Sequence, residues 1–363
     1  MNQRTLPPET AADTSSRIRQ IVRHAFPLTM MITLGVLVGV VWWKRPEDFA
    51  TILSDLHPGI LIWVVPLLAV DYVAGGIRYR VFFNGRFYRQ IPLFTCIRAN
   101  WATMFISSIT PAQTGGVLGK MFILWRAGAT IAEIMLVAVI NLIGTLVAFM
   151  VSAFLVWWWL PGGLIPAKWA HLLNTGLLGL SILIAIILVT FVFPMPAIRV
   201  ISFLFQTLPL PQERKRRWHR RLIEGLETIH NDAVELWSRA RWILFAVIAC
   251  NFAMYISKFL IGFVVAMSLG YHPPLVPFLA LQVIQSLVVY FGITPGATGV
   301  AEVSSVVLMG LLLPQHVLGV YTLVWRLIYT YVGAAFGAAV VFRELAPQRS
   351  RRVVLEEKLT LKQ

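Results

Sequence analysis

SSITPAQTGGVLGKM, from Ser107 to Met121, and YFGITPGATGVAEVS, from Tyr290 to Ser304, carry the same string, I-T-P-x-x-T-G, at Ile109–Gly115 and again at Ile293–Gly299. Both copies interrupt long apolar tracts. Proline removes a backbone donor and disfavours helix in the residue before it, so each string predicts a break in a helix. Irregular backbone at membrane depth is tolerated only where it lines a cavity or is buried in protein. The breaks therefore matter only if the chain is a membrane protein.

Composition says that it is. Hydrophobic residues make up 58% of the 363 and charged residues 13%, where a soluble domain carries about 25% charged residues. Several apolar runs approach or exceed the ~20 residues that cross a bilayer. The net charge of +15 does not imply nucleic acid, because the basic residues cluster beside apolar tracts and no stacking platform or zinc-finger spacing accompanies them. Cys96 and Cys250 form no C-x-x-C and read as packing residues. No cleavable signal peptide is evident.

The spans fall at about 26–43, 57–76, 131–158, 173–194, 242–268 and 317–342, with short limbs at 99–110, 116–127, 275–293 and 299–313 around the two strings. The Arg-rich segment after the second span reads as interfacial, its Arg heads in the headgroup layer. Residues 208–241 contain RKRRWHRR, from Arg214 to Arg221, followed by apolar residues at helical spacing. This predicts a basic amphipathic helix lying on anionic lipid, with Arg216, Arg217, Arg220 and Arg221 at the surface.

Lys and Arg counts set the orientation. Residues 1–25 hold four, 78–98 five, 199–241 nine and the tail from Arg343 six, which is 24 of 31, against three in the opposite loops (Lys44, Arg45 and Lys168). Both termini are therefore expected in the cytoplasm of a cell with this protein in its inner membrane. Continuity then makes each broken pair of limbs a re-entrant hairpin, the first entered from the cytoplasm and the second from the other face. The expected fold is an all-α integral membrane protein of six to eight spans with two re-entrant hairpins in inverted topology. Residues 1–25 form a cytoplasmic tail, 26–343 the transmembrane domain with the 208–241 insert, and 344–363 a basic cytoplasmic tail. Inverted repeats with broken helices are a common plan for transporters.

Ionisable residues at membrane depth mark pathways or partners. Asp71 and Glu133 are expected near the inner interface, paired with nearby Arg. Lys258 is central in its span, and Lys120 follows the first break. Glu302 stands where the second broken helix restarts, and Arg326 in the last span is its expected partner. Thr110, Thr114, Thr294 and Thr298 are placed to cap free amides at the breaks. Free amides with basic side chains suit a phosphate. The substrate-contacting set is thus Thr110, Pro111, Gly115, Gly116 and Lys120 at the first break. Lys258, Thr294, Pro295, Gly296, Gly299, Glu302 and Arg326 complete it around the second. Gln282, Gln285, Asn100, Asn141 and Asn251 add polar lining. P-loop, H-E-x-x-H and G-x-S-x-G signatures are absent, and no catalytic residue, cofactor or metal is expected. Glu47–Asp48 is the nearest approach to an external acid pair.

The two signatures resemble those of the lysylphosphatidylglycerol synthase transmembrane-region, or flippase-like, family. ITPAQTGGVLGKMFILWRAG has a Pro, a Gly pair and a basic residue before a short apolar limb. ITPGATGVAEVSSVVLMGLLL matches Pro-Gly-x-x-Gly-x-x-Glu with Pro295, Gly296, Gly299 and Glu302, and VWRLIYTYVGAAFG sets Arg326 at the family's usual Arg. Many members carry an acid between the Gly pair and the basic residue; here Val117 stands there. The resemblance, over about 26–343, implies a helical membrane domain with re-entrant hairpins. It also implies a role in moving an anionic lipid between leaflets, its relatives being linked to aminoacylated phospholipids, hopanoids and polyprenyl-phosphate sugars. About 20 residues follow the last span, so a soluble aminoacyl-transferase domain is not expected, nor synthesis of the aminoacyl lipid. Anionic lipids are the expected partners, with a lipid-synthesis enzyme as a further one. The rival functions are a membrane glycosyltransferase using a polyprenyl-phosphate donor and a non-catalytic subunit of a lipid-synthesis complex.

Overall fold

The computed structural model describes residues 56–86, 88–159 and 212–345, with isolated positions at 31–54 and 171–186; of 212–230 it describes the backbone alone. The expected span at 26–43, most of that at 173–194, Glu47–Asp48, the N-terminal tail and most of the C-terminal one lie outside the described residues, as do the side chains of Arg216, Arg217, Arg220 and Arg221. Among the described residues all regular structure is helical. Among the described residues four helices are long and apolar enough to cross a membrane: Pro58–Arg80, Ile131–Leu155, Ser238–Ser268 and Gln315–Leu345. The chain is an all-α, multi-pass membrane protein.

In chain order the helices are α1 (Val64–Arg80), α2 (Leu93–Ser108), α3 (Gly116–Arg126), α4 (Ile131–Trp159), α5 (Gln212–Ser268), α6 (Leu275–Tyr290), α7 (Val300–Met309), α8 (Leu318–Arg326) and α9 (Gly333–Leu345). A short helical turn at Pro58–Leu61 leads into α1, and a π-helical stretch, Leu327–Val332, joins α8 to α9. The basic segment and the following span are one helix, α5, bent where Ala240 leaves helical geometry (φ −148°, ψ 36°). The sequence boundary at 241 thus marks a bend and not a loop.

The two breaks make two hairpins, α2–α3 and α6–α7, each with its limbs packed together. Each has its own apolar core. That of the first hairpin takes in Ile134–Ile140 at the start of α4, Ala240–Val247 of α5 and Val341 of α9. That of the second takes in Leu146–Ala153 of α4, Phe259–Leu269 of α5 and Leu318–Trp325 of α8. Each long helix runs from one core into the other. The hairpin bases therefore stand at opposite ends of the bundle, and their tips meet between.

At the first base, Glu344 pairs with Arg98 and with Arg126 (3.0 Å), tying α9 to both limbs of the hairpin. At the opposite end Tyr271 Oη and His316 Nε2 are 3.0 Å apart.

Candidate functional site

Each tip is built by its own string. Pro111 and Pro295 open single 3₁₀ turns, preceded by extended Thr110 and Thr294, as steric clash with a following proline favours. Behind Pro111 the chain turns left-handed at Ala112 (φ 49°) and Gln113 (φ 55°); behind Pro295 it does so at Gly296 (φ 58°) and Ala297 (φ 54°). The tips bond to each other: Ala112 N–H donates to the Ile293 carbonyl at 2.9 Å. A Cβ on Gly296 would lie 2.8 Å from the Ser108 carbonyl oxygen, so glycine permits both the dihedral and the approach.

The threonines divide their work differently from the sequence expectation. Thr110 Oγ1 accepts from Gly115 N–H (3.0 Å) and donates to the Ile106 carbonyl (2.8 Å). Thr114 and Thr294 donate to the carbonyls of Pro111 and Thr298 instead of capping amides. The free amide at the start of α7 is capped by Glu302, whose Oε2 accepts from Gly299 N–H at 2.6 Å. Gly115 and Gly116 stand against Thr110 and Ser107 within the first hairpin, where a side chain has no room.

Where the tips meet there is a cavity of about 210 Å³ with a mixed polar and apolar lining. Its walls come from both hairpins and from the long helices. Arg78, Lys258 and Arg326 bring three cations to it. Asn100, Thr103, Ser107, Ser108 and Gln113 line the first-hairpin side, and Ser286, Tyr290, Tyr329 and Thr330 the second. Gly296 forms part of the wall.

Arg326 is fixed on several sides. Its Nε donates to Glu302 Oε1 at 2.9 Å, Nη1 to Thr330 Oγ1 at 2.9 Å and Nη2 to the Gly296 carbonyl at 2.5 Å. Glu302 is fully buried behind it and does not line the cavity. The expected Glu302–Arg326 pair is thus present. Lys258 lies 3.7 Å from Asp71 and stands over the rings of Tyr255 and Tyr329, at 5.7 and 5.3 Å from their centres. Asp71 therefore pairs with a lysine of another helix and not with an interfacial Arg. Glu133 likewise does not meet an Arg among the described residues. It accepts from Thr130 N–H at 2.8 Å while its own N–H donates to Thr130 Oγ1 at 3.3 Å, a capping box at the start of α4.

Of the predicted set, Lys258, Gly296 and Arg326 line the cavity. Thr110, Pro111, Gly115, Gly116, Thr294, Pro295 and Gly299 build the tips, and Glu302 and Lys120 stand behind the wall. Lys120 is buried, its Nζ 5.5 Å from the centre of the Tyr79 ring. Arg78 was not in the set. In sequence it opens an Arg-rich run that reads as interfacial. It is half-buried in the last turn of α1. Its Nη2 donates to Asn100 Oδ1 (2.9 Å) and its Nη1 to Asn251 Oδ1 (3.2 Å). A signal did exist: Asp71 and Arg78 stand seven residues apart, on one face of a helix.

The family match to the lysylphosphatidylglycerol synthase TM region covers residues 30–337. A UPF0104 membrane protein of Archaeoglobus fulgidus is 24% identical over 321 residues, which is 85% of this chain and 94% of that one. No solved structure matches.

Proposed function

The chain belongs to the lysylphosphatidylglycerol synthase TM region family, and we propose that it is a flippase-like transporter of the inner membrane that carries an anionic lipid headgroup between leaflets. One observation carries this reading. Two hairpins from opposite ends of the bundle meet tip to tip at a cavity lined by Arg78, Lys258 and Arg326. Three cations at membrane depth, among hydroxyls and amides, favour an anion over a neutral sugar or a cation. A complete small-molecule site spans about 300–1,000 Å³; at about 210 Å³ this cavity suits a headgroup with its acyl or isoprenoid tails left in the bilayer. With both termini cytoplasmic, as the Lys and Arg distribution favours, the hairpins are re-entrant from opposite faces. Alternating access then amounts to parting one tip from one side or the other. The basic start of α5 rests on anionic lipid at the cytoplasmic surface.

The test is movement in vesicles. The full chain is reconstituted with an anionic lipid, and the outer-leaflet fraction is followed by a leaflet-specific assay at matched protein amounts. Arg78→Gln and Lys258→Gln are expected to insert normally and to slow movement at least tenfold. Parent rates in both variants would exclude the cavity as the route. Glu47→Gln with Asp48→Asn is expected to leave the rate unchanged; sugar transfer that requires those two acids would replace the transporter reading with the glycosyltransferase one.

A further inference from the structure

The cations and carboxylates around the cavity do not balance. Four basic residues converge there: Arg78, Lys258 and Arg326 on the wall, and Lys120 behind Tyr79. Two acids oppose them. Glu302 neutralises Arg326 at 2.9 Å, and Asp71 faces Lys258 at 3.7 Å. Among the described residues neither Arg78 nor Lys120 has a carboxylate within 4.0 Å. The aromatic ring between them, Tyr79, is fully buried, with the Arg78 guanidinium 5.1 Å from its centre. An uncompensated buried charge is expensive, and more so in a bilayer than in a soluble protein.

Two donors on the same wall are also unsatisfied. Arg78 Nε and Asn100 Nδ2 are buried with no hydrogen-bond partner. The Asn100 amide is oriented by its own oxygen, which accepts from Arg78. Asn100 is 1% exposed, and its Nδ2 lies against Gly75 of α1.

We infer that the cavity selects a lipid headgroup bearing two negative charges, a terminal phosphate monoester or a diphosphate, over a singly charged phosphodiester. This rests on the proposal that the cavity holds a lipid headgroup. A phosphate monoester carries about 1.5–2 negative charges at pH 7, which answers the excess of positive charge. A phosphodiester supplies one charge. A headgroup that itself bears an amine meets Arg78 and Lys258 with like charge.

The experiment titrates lipids into the detergent-purified full chain and reads tryptophan fluorescence. The probes are phosphatidate, a long isoprenoid monophosphate, phosphatidylglycerol and inorganic phosphate. Both monoesters are expected to bind at least about tenfold tighter than phosphatidylglycerol at pH 7.5, which is about 1.4 kcal/mol, whichever tail they carry. That gap should narrow below about pH 6, where the second phosphate charge is lost. Arg78→Gln removes one excess cation and should shrink the preference; Asp71→Asn adds one and should widen it. Mere structural damage cannot move the preference in both directions. Equal affinity for monoester and diester overturns the inference and leaves the lipid reading standing. Inorganic phosphate bound as tightly as phosphatidate removes the lipid reading itself, and with it the inference. An unchanged preference in both variants overturns the assignment to these charges.

Discussion

Replacing Glu302 with Gln tests the electrostatic core of the site. Glu302 is fully buried and serves two partners at once: Oε1 accepts from Arg326 Nε at 2.9 Å, and Oε2 from Gly299 N–H at 2.6 Å. A glutamine has the same shape but only one acceptor oxygen. Either Arg326 or the first amide of α7 then faces an NH₂ group, and the Arg326 charge loses its partner. Removing one side of a buried pair costs roughly 3–5 kcal/mol. The lower end is expected here, because Arg326 keeps its bonds to Thr330 and to the Gly296 carbonyl. Arg326→Gln should cost about as much by stranding the carboxylate. The double variant leaves no charge and should be destabilised by about 2 kcal/mol less than the sum of the singles. Denaturant unfolding of all four proteins in one detergent gives the cycle. Single costs within about 0.5 kcal/mol of zero, or costs that add to within about 0.5 kcal/mol, would refute the pairing as the element holding Arg326 at the cavity.

The glycines at the second break should separate by mechanism. Gly296 combines a φ of +58° with a built Cβ 2.8 Å from the Ser108 carbonyl, whereas Gly299 has a φ of +87° and nothing within 4 Å. Gly299→Ala should therefore cost only backbone strain, about 1–2 kcal/mol, while Gly296→Ala should also push the tips apart. In a chain with Cys96 and Cys250 replaced by Ala, cysteines at 112 and 293 should cross-link readily. Adding Gly296→Ala should cut the yield severalfold and adding Gly299→Ala should not; equal yields would count against direct contact between the tips. At the first hairpin's base, Glu344→Gln should cost no more than about 1 kcal/mol in the same unfolding assay, because its ion pairs with Arg98 and Arg126 involve side chains 20–32% exposed and surface pairs are weak. A loss of several kcal/mol would mean that this triad anchors the hairpin.

The hairpins were legible because their signal is local. A proline and glycines in an apolar tract, with limbs too short to cross, leave few alternatives, and limb 116–127 matches α3 to within a residue. Elements fixed by distant partners were not legible. The first limb begins at Leu93 and not at 99: in sequence Arg98 reads as a headgroup-facing residue, but it meets Glu344, 246 positions along the chain. The π-helical stretch at Leu327–Val332 has no sequence mark of its own. It sets Tyr329 and Thr330 on the cavity beside Arg326, and π-turns are frequent at functional sites.

The site shows why pairing, and not composition, decides the charge of a cavity. Read from the sequence, the ionisable groups at membrane depth are three acids, Asp71, Glu133 and Glu302, against three bases, Lys120, Lys258 and Arg326. That set is neutral, so the phosphate expected from the sequence rests on free amides and basic side chains and not on net charge. The fold takes Glu133 away to cap α4 and brings Arg78 in from a run of interfacial arginines. Two acids then face four bases. The Glu302–Arg326 pair was foreseeable because both residues belong to one signature-bearing stretch, 24 positions apart. The Asp71–Lys258 pair joins α1 to α5 across about half the length of the chain, and no spacing rule reaches that far. The excess positive charge is a property of which helices face each other. The two bases without a carboxylate, Arg78 and Lys120, flank Tyr79 on α1 and α3, while the paired Lys258 and Arg326 come from α5 and α8, so the cavity draws its charge from both halves of the chain.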